Sequence, residues 1–239
     1  MKHLAIVLAA SALFILSGCV TSRQARHVNA SGFLGDSAPL LAKSTEKDDA
    51  LLVYHRAGTD WASYDRMVVD TVTIWSSAPS TLPPAELEDY RRVIDSFDHT
   101  LRSKLATSYT IVEAPQPHAL RLQVAIVDGA AAQAPLKVVK NVAPYASIAD
   151  FLWTAATGKP AFTGEVSLEY MIRDSASGEL LAAGADRRVG GNQLGAATFT
   201  RWGDVKNILT YWSELAVYRL CLDRHAPDCL RPRSGIAEP

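Results

Sequence analysis

The 239-residue chain has only three cysteines and no surplus of either charge, with 24 Lys and Arg against 25 Asp and Glu. The first scarcity excludes a disulfide-dense miniature scaffold. The second removes the electrostatic case for nucleic-acid binding, which needs a basic surplus. Long apolar runs are also missing, so a multi-span membrane protein is excluded. No internal repeat, Cys-x-x-Cys or His-x-His spacing occurs, and no glycine-rich loop opens a helix with phosphate-binding spacing. The remainder, 48% hydrophobic and 21% charged, is the composition of an ordinary globular protein.

What is present begins with an address. Lys2 supplies a positive start, and Leu4 to Ile15 form an uncharged, mostly apolar stretch, too short for a spanning helix and of signal-peptide length. Leu16-Ser17-Gly18-Cys19 then reads as a bacterial lipobox, with residues 1–18 removed and Cys19 carrying the lipid. Several acyl chains on one cysteine make anchoring effectively permanent, at roughly 0.8 kcal/mol per buried CH2. Val20 and Thr21 stand where an Asp would signal inner-membrane retention, so the expected location is the outer membrane, facing the periplasm. Residues 19–30 read as a flexible tether with a reach of about 20 Å. Residues 31–239 read as one domain.

Cys221 and Cys229 remain as an even pair in an oxidising compartment and are disulfide candidates, the alternative being two free thiols. Ser31 to Leu41 is too apolar for a bare linker, with Phe33, Leu34, Leu40 and Leu41, and is expected to dock on the domain. Arg66 to Trp75 reads as one buried strand. Leu87, Tyr90, Ile94, Phe97, Leu101 and Leu105 form an apolar helical stripe after Pro83-Pro84. A short strand is expected at Tyr109–Val112, an alternating one over Leu120–Ile126, and a hairpin from Phe162 through the Asp174–Gly178 turn to Arg188. A last helix spans about Asp204 to Asp223. The expectation is an α+β fold: an antiparallel, possibly mixed, sheet of four to five strands, polar on one face, with two main helices packed on the other.

Between the strands, about 130–160 reads as a long insertion. Trp153 and Tyr145 in it, and Phe33 near the N-terminus, are candidate contacts for a partner, ligand or membrane, although a helix packed on the sheet edge also accounts for the insertion's pattern. Arg187, Arg188 and Arg201 read either as a small basic patch beside the last helix or as solvated ends.

Taken in order, the lipobox, SGFLGDSAPL at Ser31–Leu40, WASYDRMVVDTVTIW at Trp61–Trp75 with its Tyr64-Asp65 strand entry, and the Asp174–Leu180 hairpin resemble the proteobacterial lipoprotein family with domain of unknown function 3313. The resemblance spans most of the chain after Cys19. It implies an envelope lipoprotein and lends no catalytic site.

Chemistry is sparse. Gly35-Asp36-Ser37 resembles the nucleophile block of Gly-Asp-Ser esterases, but the Asp-x-x-His such an enzyme needs near the C-terminus is missing, and Asp223-Arg224-His225 has the wrong spacing. His27, His55, His99 and His118 are scattered singly, and no metal or cofactor is expected. The expected function is therefore a non-enzymatic structural or accessory lipoprotein, held to the membrane through Cys19 and bound to an envelope protein. A lipid or small-ligand binding module is the alternative, and hydrolysis through Ser37 a distant third.

Overall fold

In chain order the elements are β1 (Ser22–Gln24), a 3-10 segment (Gly32–Leu40), β2 (Ala42–Lys43), β3 (Leu52–His55), a 3-10 turn (Trp61–Ser63), β4 (Arg66–Val69), β5 (Thr73–Trp75), α1 (Pro84–Leu105), β6 (Thr110–Ile111), β7 (Ala119–Val127), β8 (Glu165–Asp174), β9 (Leu180–Gly190) and α2 (Gly203–Asp223). The computed structural model describes residues 22–46, 48–75, 84–127, 165–190 and 203–232. Residues 1–18, Cys19 and the 130–160 insertion lie outside the described residues.

The strands form one nine-stranded mixed sheet in the order β2-β3-β9-β8-β7-β4-β6, with β1 on β9 beyond β3 and β5 on β7 beyond β4. The centre is an antiparallel meander of β7, β8 and β9. On one flank β4 and β5 run parallel to β7, and β6 parallel to β4. The expectation of four to five strands is thus corrected to nine among the described residues. The parallel flank arises because the chain passes from β5 through α1 before returning as β7, the crossover that parallel neighbours require.

The strand expected over 66–75 is interrupted. Val69 pairs with Leu122 and Thr73 with Ala125, so this lane spends one more residue than its partner, as in a bulge. Asp70 holds the Arg121 guanidinium at 3.0 Å, and the Val72 amide donates to the Asp98 side chain of α1 at 3.0 Å. The break therefore ties sheet to helix.

Alternation sorts the central strands. Leu120, Leu122, Val124 and Ile126 of β7 join Val166, Leu168 and Ile172 of β8 in the main core, under Ile94, Phe97, Leu101 and Leu105 of α1 and Val205, Ile208, Leu209 and Trp212 of α2. Both helices pack on this face and against each other, with Lys104 and Glu214 bridging them at 3.2 Å.

The opposite face was expected to meet solvent, but part of it is covered. Ser167, Glu169 and Met171 of β8 are all buried. The chain from Ala30 to Leu41 lies across them as a strap, with Ala30, Leu34 and Ala38 packed on Met171 and Ala183, and Phe33 on Trp75, Ala125 and Val127. Docking of Ser31–Leu41 is as the sequence suggests; the free tether before it is not. From Ser22 onward the stretch expected to be flexible is a strand on the end of β9, with Ser22 facing Gly190 and Gln24 facing Arg188. Ser22 is satisfied inside the fold: Arg188 donates to its hydroxyl at 3.1 Å and carbonyl at 3.0 Å, and lies 3.9 Å over the Tyr211 ring. Arg188 is therefore a buried bracket rather than part of a basic surface patch. Among the described residues no helix is long and apolar enough to cross a membrane.

Candidate functional site

The expected site residues separate widely. Cys19, Tyr145 and Trp153 lie outside the described residues. Cys221 and Cys229 form a disulfide with Cα atoms 5.6 Å apart, closing the loop after α2. Phe33 is half-buried, its ring edge-on to Trp75 with centroids 5.9 Å apart, so it seals the strap onto the sheet. Ser37 is buried within the same strap, and among the described residues no hydrogen bond joins it to a histidine.

Sequence reasoning missed the strap's polar latch. Ser31 ends the extended chain and caps the 3-10 segment, its hydroxyl accepting from the Phe33 amide at 3.2 Å. The same residue turns to Glu169: the Ser31 amide donates to one carboxylate oxygen, and the hydroxyl lies 2.8 Å from the other. Glu169 is 1% exposed. Burial raises its carboxyl pKa to about 7, against the opposing pull of hydrogen bonds from Ser31 and the Leu34 amide. A strand glutamate flanked by Ser167 and Arg173 carries the pattern of a solvated face, so no signal in the sequence marked it.

A second constellation lies on the helix side, where α1, α2 and the sheet leave a cavity of about 90 Å³. Its walls are apolar, including Phe97, Leu101, Leu122, Leu168 and Leu215, and its rim is polar, with Asp49, His55, Arg219 and Asp223. Rim geometry depends on the N-terminal strand. Gln24 donates to Asp186 at 2.7 Å and to the Asp49 carbonyl at 2.8 Å, while the Trp212 indole donates to the other Asp186 oxygen at 2.7 Å. Burial pushes the Asp186 carboxyl up, opposed by those hydrogen bonds. Asp49 accepts from the Ser44 hydroxyl at 3.1 Å and pairs with Arg219 at 3.3 Å. Burial also raises Asp223. An apolar chamber behind a charged rim suits a small apolar group; an engineered protein cavity that takes benzene is larger, about 150 Å³. Among the described residues no three His, Cys, Asp or Glu side chains are grouped to hold a metal ion.

A family model described as "Protein of unknown function (DUF3313)" matches residues 29–216, from just before the strap into α2. No curated protein matches the sequence. Among solved structures, a dodecamer of a PelC point variant from Paraburkholderia phytofirmans is similar at 17% identity, over 74% of this chain and 98% of that one, with a TM-score of 0.33. A DUF4136 family protein from Bacteroides thetaiotaomicron VPI-5482 is similar at 9% identity, over 67% of this chain and 92% of that one, also with a TM-score of 0.33.

Proposed function

The chain belongs to the DUF3313 family of proteins of unknown function, and from that premise we propose that it is a lipid-anchored, non-catalytic accessory protein of the bacterial cell envelope. The proposed anchor is Cys19 and the proposed location the outer membrane, facing the periplasm, where the protein holds or bridges another envelope component. The observation that carries this reading is how close in sequence a paired strand lies to Cys19. Ser22, the third residue after Cys19, is already paired to β9, so a lipid on Cys19 would hold a rigid sheet corner at the bilayer rather than a domain on a loose leash. A body fixed at one corner presents its other surfaces in a set orientation, which suits a bridging role.

Labelled palmitate offered to cells making the wild type and Cys19→Ser tests the anchor. The expected result is label and membrane residence for the wild type, with loss of both in the variant and failure of the variant to complement a deletion strain. Full complementation by the soluble form would overturn the proposal.

A second reading, binding of a small apolar ligand, is favoured by the cavity between the helices and the sheet. Ala216 lines it, and Ala216→Phe would fill it. Chemical-shift changes on adding xenon, a smaller apolar probe than benzene, to the wild type, absent in the filled variant, are expected under this reading. Equal responses in the two proteins would remove it.

A further inference from the structure

The corner where β1 meets the end of β9 carries a feature that the latch and the cavity do not use. A concave groove of about 420 Å³ runs along it, lined by Arg23, Arg26, His27 and Arg187, with Gln24, Ala25 and Val189 completing the walls. Among the described residues, no carboxylate lines the groove. Strand alternation explains the segregation. Ser22 and Gln24 turn toward the helix side, where they meet Arg188 and Asp186, and so Arg23 turns to the other face, beside Arg187 and Val189 of β9. The Ala25 amide donates to the Arg187 carbonyl at 2.8 Å, which fixes the start of the loop carrying Arg26 and His27. Arg23, Arg26 and His27 are exposed, and neither Arg23 nor Arg26 has an ion-pair partner among the described residues.

We propose that this basic groove is a membrane-docking surface that takes the anionic headgroups of the leaflet holding the Cys19 lipid. Two observations select that occupant. The first is reach: the three residue steps from Cys19 to Ser22 span about 10 Å at full extension, so an acylated Cys19 keeps Arg23 and Arg26 within headgroup distance. The second is charge: a chain with a net charge of -1 collects these cations on one face of the corner nearest the proposed anchor. Each cation at an anionic surface gives about a five-fold gain in partitioning, and the gain falls as salt screens it. Together, lipid and groove would fix both the height and the tilt of the body.

The inference deepens the anchored reading and rests on it, so its test removes the lipid. The chain from residue 19 with Cys19→Ser is floated with vesicles of phosphatidylcholine alone and of phosphatidylcholine mixed with phosphatidylglycerol. Binding is expected only to the mixed vesicles, weakening with added salt. Arg23→Gln with Arg26→Gln is expected to lose about 25-fold, while Arg23→Lys with Arg26→Lys retains binding. Both positions are exposed, and an unchanged melting temperature shows that the Gln pair is folded. Equal binding to the two vesicle types, or unchanged binding by the Gln pair, would overturn the groove even if palmitate labels Cys19. Arginine-dependent binding to the mixed vesicles without label on Cys19 would retain the groove and remove the anchor.

Discussion

Glu169 sets a pH dependence that a surface carboxylate would not. Its pKa rises from 4.5 to about 7 on folding because burial disfavours the charged form. The folded state therefore binds the proton more tightly than the unfolded chain. The contribution is fully present below pH 4.5 and is lost as pH rises through 7, amounting to about 3 kcal/mol by linkage. Melting temperature should fall between pH 5 and pH 8 in the wild type. In Glu169→Gln, which keeps an acceptor for the Ser31 amide and never ionises, the fall should be shallower. Parallel slopes in a pH series by calorimetry would show that the latch is not the titrating element. Gly184 makes a second residue-scale prediction. A Cβ there would stand 2.5 Å from the ring of Tyr170, its cross-strand partner, whose ring sits at the cavity. Gly184→Ala should cost about 1–3 kcal/mol in urea denaturation, and much less in a Tyr170→Ala background where the obstacle is gone. Neither Glu169 nor Gly184 was legible in the sequence, whereas the Cys221–Cys229 pair was. A lone glycine under a ring and a glutamate under a strap depend on which chain segment crosses them, and local spacing does not encode that.

Elements were legible where their own periodicity is long. The stripe ending in Phe97, Leu101 and Leu105, the β8–β9 hairpin about Asp174–Gly178, and the last helix all stand where the pattern puts them. The strand over 66–75 was legible as a buried run but not as two, since its break answers to Arg121 and Asp98, which lie elsewhere in the chain. Strands β1, β2 and β3, of two to four residues, are too short to show alternation, and they form because β9 and then β3 offer an edge. The disulfide acts at this scale. It closes a loop of sequence separation 8 after α2, beyond which Arg231 pairs with Asp48 next to the cavity rim. Replacing Cys221 and Cys229 together by Ser should cost about 2–3 kcal/mol, read as a lower urea midpoint that reductant reproduces in the wild type. A midpoint unaffected by either treatment would mean that helix packing alone holds this end.

At the scale of the whole molecule, the sheet is a middle layer rather than a wall. Helices cover one face and the 30–41 strap part of the other, while β1 extends the sheet at the corner from which the strap departs. The sequence pattern read the strap face as solvent-facing because Glu165, Ser167, Glu169 and Arg173 alternate along β8, and the covering segment lies more than a hundred residues away. The arrangement makes residues 22–41 structural. A chain starting at Ala42 would bare Met171, Ala183 and Val127, strip Gln24 from Asp186 and Asp49, and leave Glu169 without Ser31. Exposed apolar surface together with buried polar groups stripped of partners is a combination that folded monomers avoid. The truncated chain should therefore aggregate or bind an apolar dye, whereas a chain starting at residue 19 with Cys19→Ser should stay monomeric and melt cooperatively. If residues 22–41 were only a spacer between lipid and domain, the two chains would melt at the same temperature, and comparing their thermal transitions decides between spacer and structural layer.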